Sequence, residues 1–274
     1  MDERCGRWLL GRVIATGAWA EVRAARPVTP DAATGADPEP FAIKRQHGHA
    51  ARDPALAVLF AAERALTASL PPHPALISAV ASGHDWTGGH DAPGDDDSYL
   101  VMPRIAGPDL RGRLGQGALT RPAWLAIGAD IAAGVAHLHV HGWVHGDVTP
   151  PNILLGPRGA VLCDLGVARR AGEPGPVRGT AAYMAPEQVK GEAWTTAVDV
   201  FALGVVLWEL AAGARLFARA APYLAMAAVV ETSAPPLADA DLAPLVAAAL
   251  AAAPAARPSA AKLADALGVL AARA

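Results

Sequence analysis

The sequence predicts an α+β chain of two unequal lobes, a small strand-rich front and a larger helix-rich back. Two observations carry this prediction. Up to about Pro103, apolar residues come in short runs separated by Pro, Gly and Asp, interrupted by one stretch at helical spacing. Beyond Pro103 they recur at three- and four-residue intervals over longer stretches. With 274 residues and no internal repeat, the chain is long enough to bury a substantial core.

In the front, "WLLGRVIA" (Trp8–Ala15), "AEVRAAR" (Ala20–Arg26) and "PFAIKRQ" (Pro40–Gln46) are expected as strands. The last two are joined by "PVTPDAATGADPE", whose composition is that of a loop. "LAVLFAAERALTASL" reads as a helix and stops at Pro71-Pro72, which cannot continue one. "ALISAVASGHD" (Ala75–Asp85) and "SYLVMPRI" (Ser98–Ile105) are expected as two more strands. The acidic, Gly-rich "WTGGHDAPGDDD" between them reads as a solvated hairpin tip rather than a metal site.

In the back, "RPAWLAIGADIAAGVAHLHVHG" opens with Pro122 near a helix start and closes at Gly142. Leu125, Ile131, Val135 and Leu138 fall along one face. The most apolar run, "VFALGVVLWELAAGA", is bounded by Asp199, contains Glu209 and is too short to span a bilayer. It is expected as a helix buried in the core, and the last forty or so residues are also expected to be helical.

A net charge of -3 gives no case for nucleic acid or an anionic membrane as the main partner. Cys5 and Cys163 have no metal-site spacing and read as free thiols in a reducing compartment. "MDERCGRWLLGR" lacks the apolar core and cleavage site of a signal peptide, so a cytoplasmic location and no membrane span are expected.

Three pieces carry chemistry. "FAIK" ends in Lys44 on an expected strand, "HGDVTPPN" carries Asp147 and Asn152, and "VLCDLG" places Asp164 after a short apolar strand. Phosphoryl transfer from a nucleotide needs a cation on the phosphates, metal-binding groups against developing charge, and a carboxylate that orients the attacking hydroxyl. In this order and at these separations, the chain resembles the eukaryotic-like serine/threonine protein kinase family found in bacteria, from about Trp8 to Leu270. The most specific piece is "GTAAYMAPEQ", Gly179–Gln188, which resembles the family's substrate-facing loop and Ala-Pro-Glu motif. "DVFALGVVLWEL" resembles the buried central helix of the large lobe, and "ARPSA" offers Arg257 as partner for Glu187.

The resemblance implies a bilobal protein-kinase-like fold in one domain over 1–274, with an N-lobe of about 1–102, a hinge at 103–105 and a C-lobe of 106–274. It implies ATP and Mg2+ as cofactors and a protein as substrate. Lys44 resembles the phosphate-pairing lysine and Glu63 the glutamate that holds it. Asp147 resembles the catalytic base, and Asn152 and Asp164 the Mg2+ ligands, which supply the hard oxygens that ion prefers. Asp199 resembles the helix aspartate that anchors the catalytic-loop backbone. Around ATP the resemblance implies Ala15 and Gly17 of the glycine-rich loop, Val22, Ala42, Met102, Leu154 and Asp164, with Pro103 and Ile105 at the hinge.

The sequence also departs from the family pattern. "IATGAWAEV" keeps Gly17 but has Ala15 and Ala20 where the family has its other two glycines, which predicts weaker or slower ATP binding. Gly146 stands where an arginine usually precedes the catalytic aspartate. Thr149 stands where a catalytic lysine is usual, and losing such a donor typically costs about 10²–10³ in rate. The segment "LGVARRAGEPGPVRG" (Leu165–Gly179) contains no Ser, Thr or Tyr, so an acceptor for a regulatory phosphate and the arginine that would receive it are absent together. Activity without an activation-loop phosphorylation switch is therefore expected, with Thr180 and Tyr183 assigned to packing and positioning. No sensor segment is recognisable, so regulation is expected from a protein partner or from outside this stretch of chain. Two other readings stay open: a pseudokinase acting as a binding or scaffold module, and a small-molecule phosphotransferase, whose loop "HGD" followed by Pro and Asn also resembles.

Overall fold

The computed structural model describes residues 3–29, 37–84, 98–173, 175 and 179–274. The loop expected over Pro27–Glu39 lies largely outside these residues, as does the acidic stretch expected at a hairpin tip. The chain forms two compact units, one of Met1–Pro72 with Ile77–Arg104 and one of His73–Leu76 with Ile105–Ala274.

The first unit is an antiparallel sheet with one long helix. Its strands are β1 (Arg4–Cys5), β2 (Trp8–Thr16), β3 (Ala20–Pro27), β4 (Phe41–Gln46), β5 (Ala81–His84) and β6 (Ser98–Pro103), in the order β1-β2-β3-β4-β6-β5. Register shifts between β2 and β3 near Val13 bend the ribbon. One face buries Trp8, Leu10, Ala25, Ile43 and Val101, with Phe41 edge-on to Trp8 at 5.0 Å. A short helix α1 (Gly48–Ala51) precedes α2 (Pro54–Ser69). Asp53 caps α2 by accepting from the Ala55 and Leu56 amides, and Pro54 sits in its first turn. The helix ends before Pro71, as expected from the sequence. It buries Phe60, Glu63, Leu66 and Thr67, a helical stripe with one carboxylate in it.

Among the described residues, which leave out Asp85, the strand expected over Ala75–Asp85 is reduced to Ala81–His84. The apolar start of that stretch is used elsewhere. The Leu162 amide donates to the Ala75 carbonyl at 2.9 Å and Leu76 bridges Leu162, which ties residues 73–76 to the second unit. Alternation of apolar residues reports burial, but not which backbone takes the hydrogen bonds.

The second unit is helical: α3 (Leu110–Leu114), α4 (Arg121–Val140), α5 (Pro186–Val189), α6 (Ala197–Ala212), α7 (Pro222–Glu231), α8 (Ala243–Ala249) and α9 (Ala260–Arg273). A small hairpin, β8 (Ile153–Gly156) with β9 (Gly159–Leu162), and a separate two-stranded antiparallel pairing of β7 (Trp143–Val144) with β10 (Arg169–Arg170) interrupt it. Helix α6 is buried on all sides from Val198 to Leu210 and forms the centre of the unit. Helix α4 packs on it and on α9, with Leu125, Ile131, Val135 and Leu138 fully buried. By length and composition alone α4 could cross a membrane, and its buried stripe accounts for that apolarity as core packing.

Candidate active site

The predicted residues fall into two groups, one on each unit. In the first unit, antiparallel pairing sets Ala15 opposite Val22, Val22 opposite Lys44, and Ala42 opposite Met102. Directly paired residues share a face, as do residues two apart, so Ala15, Val22, Ala42, Lys44 and Met102 lie on one face of the sheet. The opposite face holds the core around Ile43 and Val101. Lys44 Nζ donates to Glu63 Oε1 at 2.6 Å, with the glutamate side chain 5 % exposed. This pair explains the carboxylate on the buried stripe of α2. Pro103 ends β6 in the same unit.

The loop between β2 and β3 turns tightly at Gly17, whose amide donates to the Ala20 carbonyl at 2.8 Å. Two residues that sequence reasoning missed hold this turn. His47 Nε2 donates to the Gly17 carbonyl at 3.0 Å and His49 Nε2 to the Ala18 carbonyl at 3.2 Å. The His47 amide adds a bond to the Trp19 carbonyl at 2.9 Å. Because a peptide unit is planar, fixing the Gly17 and Ala18 carbonyls turns the amides of Ala18 and Trp19 the other way. Nothing in "HGH" alone marks these rings as a brace, because their acceptors are backbone atoms distant in sequence.

In the second unit, the loop that carries Asp147 is anchored from α6. Asp199 Oδ2 accepts from the His145 amide at 2.8 Å and from His139 Nε2 at 2.8 Å, and its Oδ1 accepts from the Gly146 amide at 2.7 Å. Burial alone would raise the Asp199 carboxyl. The hydrogen bond and charge of His139, with the Gly146 amide, hold it below the ordinary carboxylate range instead. The His145 ring is also fixed: Nδ1 accepts from the Asp147 amide at 3.2 Å and Nε2 donates to the Cys163 carbonyl at 3.2 Å.

Asp199→Asn places an amide NH2 against backbone donors and is expected to cost about 1–3 kcal/mol. The native carboxyl, with its depressed value, contributes stability above the ordinary Asp pKa of about 3.9 that is lost as pH falls through the folded value. Urea unfolding across a pH series should therefore show a flatter acid limb for Asp199→Asn. Parallel acid limbs in the two proteins would refute this assignment.

Asp147 is held at both oxygens. Oδ1 accepts from the Thr180 amide at 2.8 Å and Oδ2 from Asn152 Nδ2 at 2.9 Å. The same amide nitrogen donates to the Asp147 carbonyl at 3.0 Å. Two acceptor partners require the nitrogen of Asn152 to face them, which leaves its amide oxygen for another ligand. The Cys163 amide donates to the Asn152 carbonyl at 2.8 Å, so Asn152 and Asp164 flank the same end of the β8–β9 hairpin. Asp164 has φ of 66°, an uncommon left-handed conformation for a residue other than glycine, and its side chain accepts from the Gly166 amide at 3.3 Å. Thr149 is 1 % exposed and its hydroxyl does not cap the turn that follows. Leu154 lies on β8, and Ile105 packs against Gly156 in the same unit.

Around Gly179–Gln188, Tyr183 is buried and its hydroxyl donates to Glu209 Oε2 at 2.6 Å. Burial, then the charge of Glu209, pushes the phenol well above its usual range. Arg111 bonds the same hydroxyl, and both Arg111 and Arg215 pair with Glu209. Glu187 and Arg257 form a buried bidentate pair at 2.6 and 2.9 Å, the partnership expected from the sequence.

A profile described as "Protein kinase domain" matches residues 27–266. Over 192 residues, covering 64% of this chain and 43% of the relative, the chain is 38% identical to serine/threonine-protein kinase PkaB of Streptomyces coelicolor. It is 44% identical over 124 residues, 42% of this chain and 23% of the relative, to PkaA of the same organism. It is 32% identical over 216 residues, 76% of this chain and 32% of the relative, to PknB of Mycolicibacterium smegmatis. The chain thus spans less than half the length of each of these curated relatives. With the strand-rich and helical units already described, these matches show that the chain belongs to the protein kinase family, as a catalytic domain of the bacterial serine/threonine type.

Proposed function

We propose that this chain is an ATP- and Mg2+-dependent serine/threonine protein kinase that works without an activation-loop phosphorylation switch, acting in the cytoplasm on a protein substrate and regulated by a protein partner. The observation that carries this reading is the Asp147 carboxylate, held at one oxygen by Asn152 and at the other by the Thr180 amide. A fixed carboxylate beside the substrate-facing stretch is what orienting an attacking hydroxyl requires.

The residues present fit the ion. The amide oxygen of Asn152 and the exposed carboxylate of Asp164 are hard donors at one hairpin end. Among the described residues no group of three His, Cys, Asp or Glu side chains closes a metal cage. That suits an ion that takes one or two protein ligands and completes its shell with phosphate and water. Bound Mg2+ would neutralise the negative charge that develops on the phosphoryl oxygens.

The chain's own residues do the rest in this reading. Glu63 keeps the Lys44 ammonium extended for the ATP phosphates. His47 and His49 hold the worn glycine-rich loop with two amides turned outward, which offsets the loss of two glycines. Asp147 accepts the hydrogen bond of the substrate hydroxyl and then its proton. The Tyr183 hydroxyl is buried and committed to Glu209, which supports its assignment to packing.

The test is incubation with Mg2+, labelled ATP and a generic protein substrate, using protein coexpressed with a phosphatase and shown by mass spectrometry to be unmodified. Label is expected in the substrate, at the rate given by untreated protein. A large loss that returns on phosphorylation of Thr180 or Tyr183 would refute the missing switch. ATP binding without transfer would make the chain a binding module.

A further inference from the structure

Gly146 leaves no side chain before Asp147, and an indole fills the space. Gly146 has φ of 79°, and a Cβ built on it would lie 2.4 Å from Cζ3 of Trp194. Trp194 is fully buried in the loop that leads into α6. The guanidinium of Arg169 stands 4.3 Å from its ring centroid. Gly175 closes on the same group: a Cβ there would lie 2.7 Å from Trp194 Cε2 and 2.8 Å from Arg169 Nη1. Two backbone bonds lock the contact, Gly172 N–H to the Trp194 carbonyl at 2.7 Å and Trp194 N–H to the Glu173 carbonyl at 3.1 Å. The segment is tied to the catalytic loop as well, because Arg169 pairs with Val144, Arg170 pairs with Trp143, and the Ala171 amide donates to the Gly142 carbonyl at 3.1 Å.

We infer that Trp194 is the positioning residue that holds Arg169–Glu173 and Gly175 against the catalytic loop, in place of an arginine–phosphate contact. A phosphate orders such a segment through charge and acceptor oxygens, and can be removed. Here a buried ring supplies dispersion on its Gly146 and Gly175 contacts and a cation–π contact to Arg169, and neither is removable by an enzyme. The glycines at 146 and 175 are what let the backbone approach the ring. The order is then set at folding and persists. This inference rests on the proposed kinase reading for its functional meaning, but the contact itself does not.

The experiment uses the whole chain and two readouts. In limited trypsin digestion, Trp194→Ala is expected to be cut after Arg169 or Arg170 about tenfold faster than wild type or more, because the segment loses its anchor while α6 stays folded. In phosphoryl transfer, Trp194→Ala is expected to lose about tenfold or more in kcat with KM for ATP little changed, since Lys44 and the glycine-rich loop lie elsewhere. Trp194→Phe, which keeps a smaller ring, should fall between the two in both assays. Gly175→Ala disturbs the same contact from the other side without emptying the core, so it keeps the test open if Trp194→Ala fails to fold. Cleavage of Trp194→Ala and Gly175→Ala at the wild-type rate would overturn the inference. Faster cleavage of the variants, together with no phosphate transfer by the wild-type protein, would uphold the anchor and refute the kinase reading instead.

Discussion

Asp147→Asn should lower the rate of phosphoryl transfer by about 10²–10⁴-fold while the protein remains folded. The carboxylate has two partners, and both donate: the Thr180 amide at 2.8 Å and Asn152 Nδ2 at 2.9 Å. An asparagine keeps one acceptor oxygen and turns an NH2 toward the other donor. The geometry changes little, since the residue is only partly buried and its volume is nearly unchanged. The chemistry changes much more, because an amide takes up a proton from the attacking hydroxyl far less readily than a carboxylate does. Labelled transfer at saturating ATP reads the rate, and a urea melt of the same sample shows that the fold survives. A variant with the wild-type rate and a wild-type melt would remove Asp147 from the proposed mechanism. Asn152 complicates the outcome usefully. If Asp147→Asn frees the Asn152 amide to rotate, KM for ATP rises as well, and the split between kcat and KM separates loss of the base from loss of a neighbouring oxygen donor.

The fold class was legible because burial leaves a period in the sequence. Phe60, Glu63 and Thr67 repeat at helical spacing, and α2 buries that face. The run from Val198 to Leu210 reads as apolar on all sides, and α6 is the centre of its unit. The order of Lys44, Asp147, Asn152 and Asp164 could also be read directly, since each belongs to a short local motif. Of what holds them, Glu63 and Asp199 were expected from the resemblance, and the other contacts were not. Gly146 reads as a missing arginine, but the ring that replaces its side chain comes from Trp194, in a segment with no motif of its own. The imidazoles of His47 and His49 bond backbone carbonyls some thirty residues earlier, at 3.0 and 3.2 Å, and a backbone acceptor has no residue identity to recognise. The reduced strand at Ala75–Asp85 failed for a related reason: the pattern marks Ala75, Leu76 and Ile77 as buried, but the partner of the Ala75 carbonyl is the Leu162 amide. Side-chain periodicity carries burial. Contacts between distant segments, and bonds to main-chain atoms, leave no comparable trace.

Arg257→Ala should destabilise the helical unit by about 3–5 kcal/mol, because it strands the Glu187 carboxylate in the interior. The guanidinium donates to both oxygens of Glu187, at 2.6 and 2.9 Å, and spends its remaining hydrogens on the carbonyls of Ala251, Ala197 and Ala252. It also stacks 5.0 Å from the Phe201 ring centroid. One side chain therefore joins α5, the start of α6 and the turn that follows α8. Removing it leaves a buried charge, carbonyls that lose a donor and a cavity beside Phe201, and these costs add in one direction. Glu187→Gln should cost less, since the amide oxygen still accepts one bond and the guanidinium left without its counter-charge keeps three carbonyl acceptors. Combining it with Arg257→Met keeps most of the stem packing and removes both charges, so the double variant should be more stable than Arg257→Ala. Urea unfolding of wild type, Glu187→Gln, Arg257→Met and the double variant closes the cycle, with Arg257→Ala measured beside them. The activity of the single variant adds a second reading. Helix α5 follows directly on Tyr183 and the substrate-facing stretch, so its loosening should slow transfer to a protein substrate at temperatures well below the melt. If Arg257→Ala proves as stable as the double variant, the stranded carboxylate is not the source of the loss, and the bonds to the three carbonyls carry the stabilisation instead.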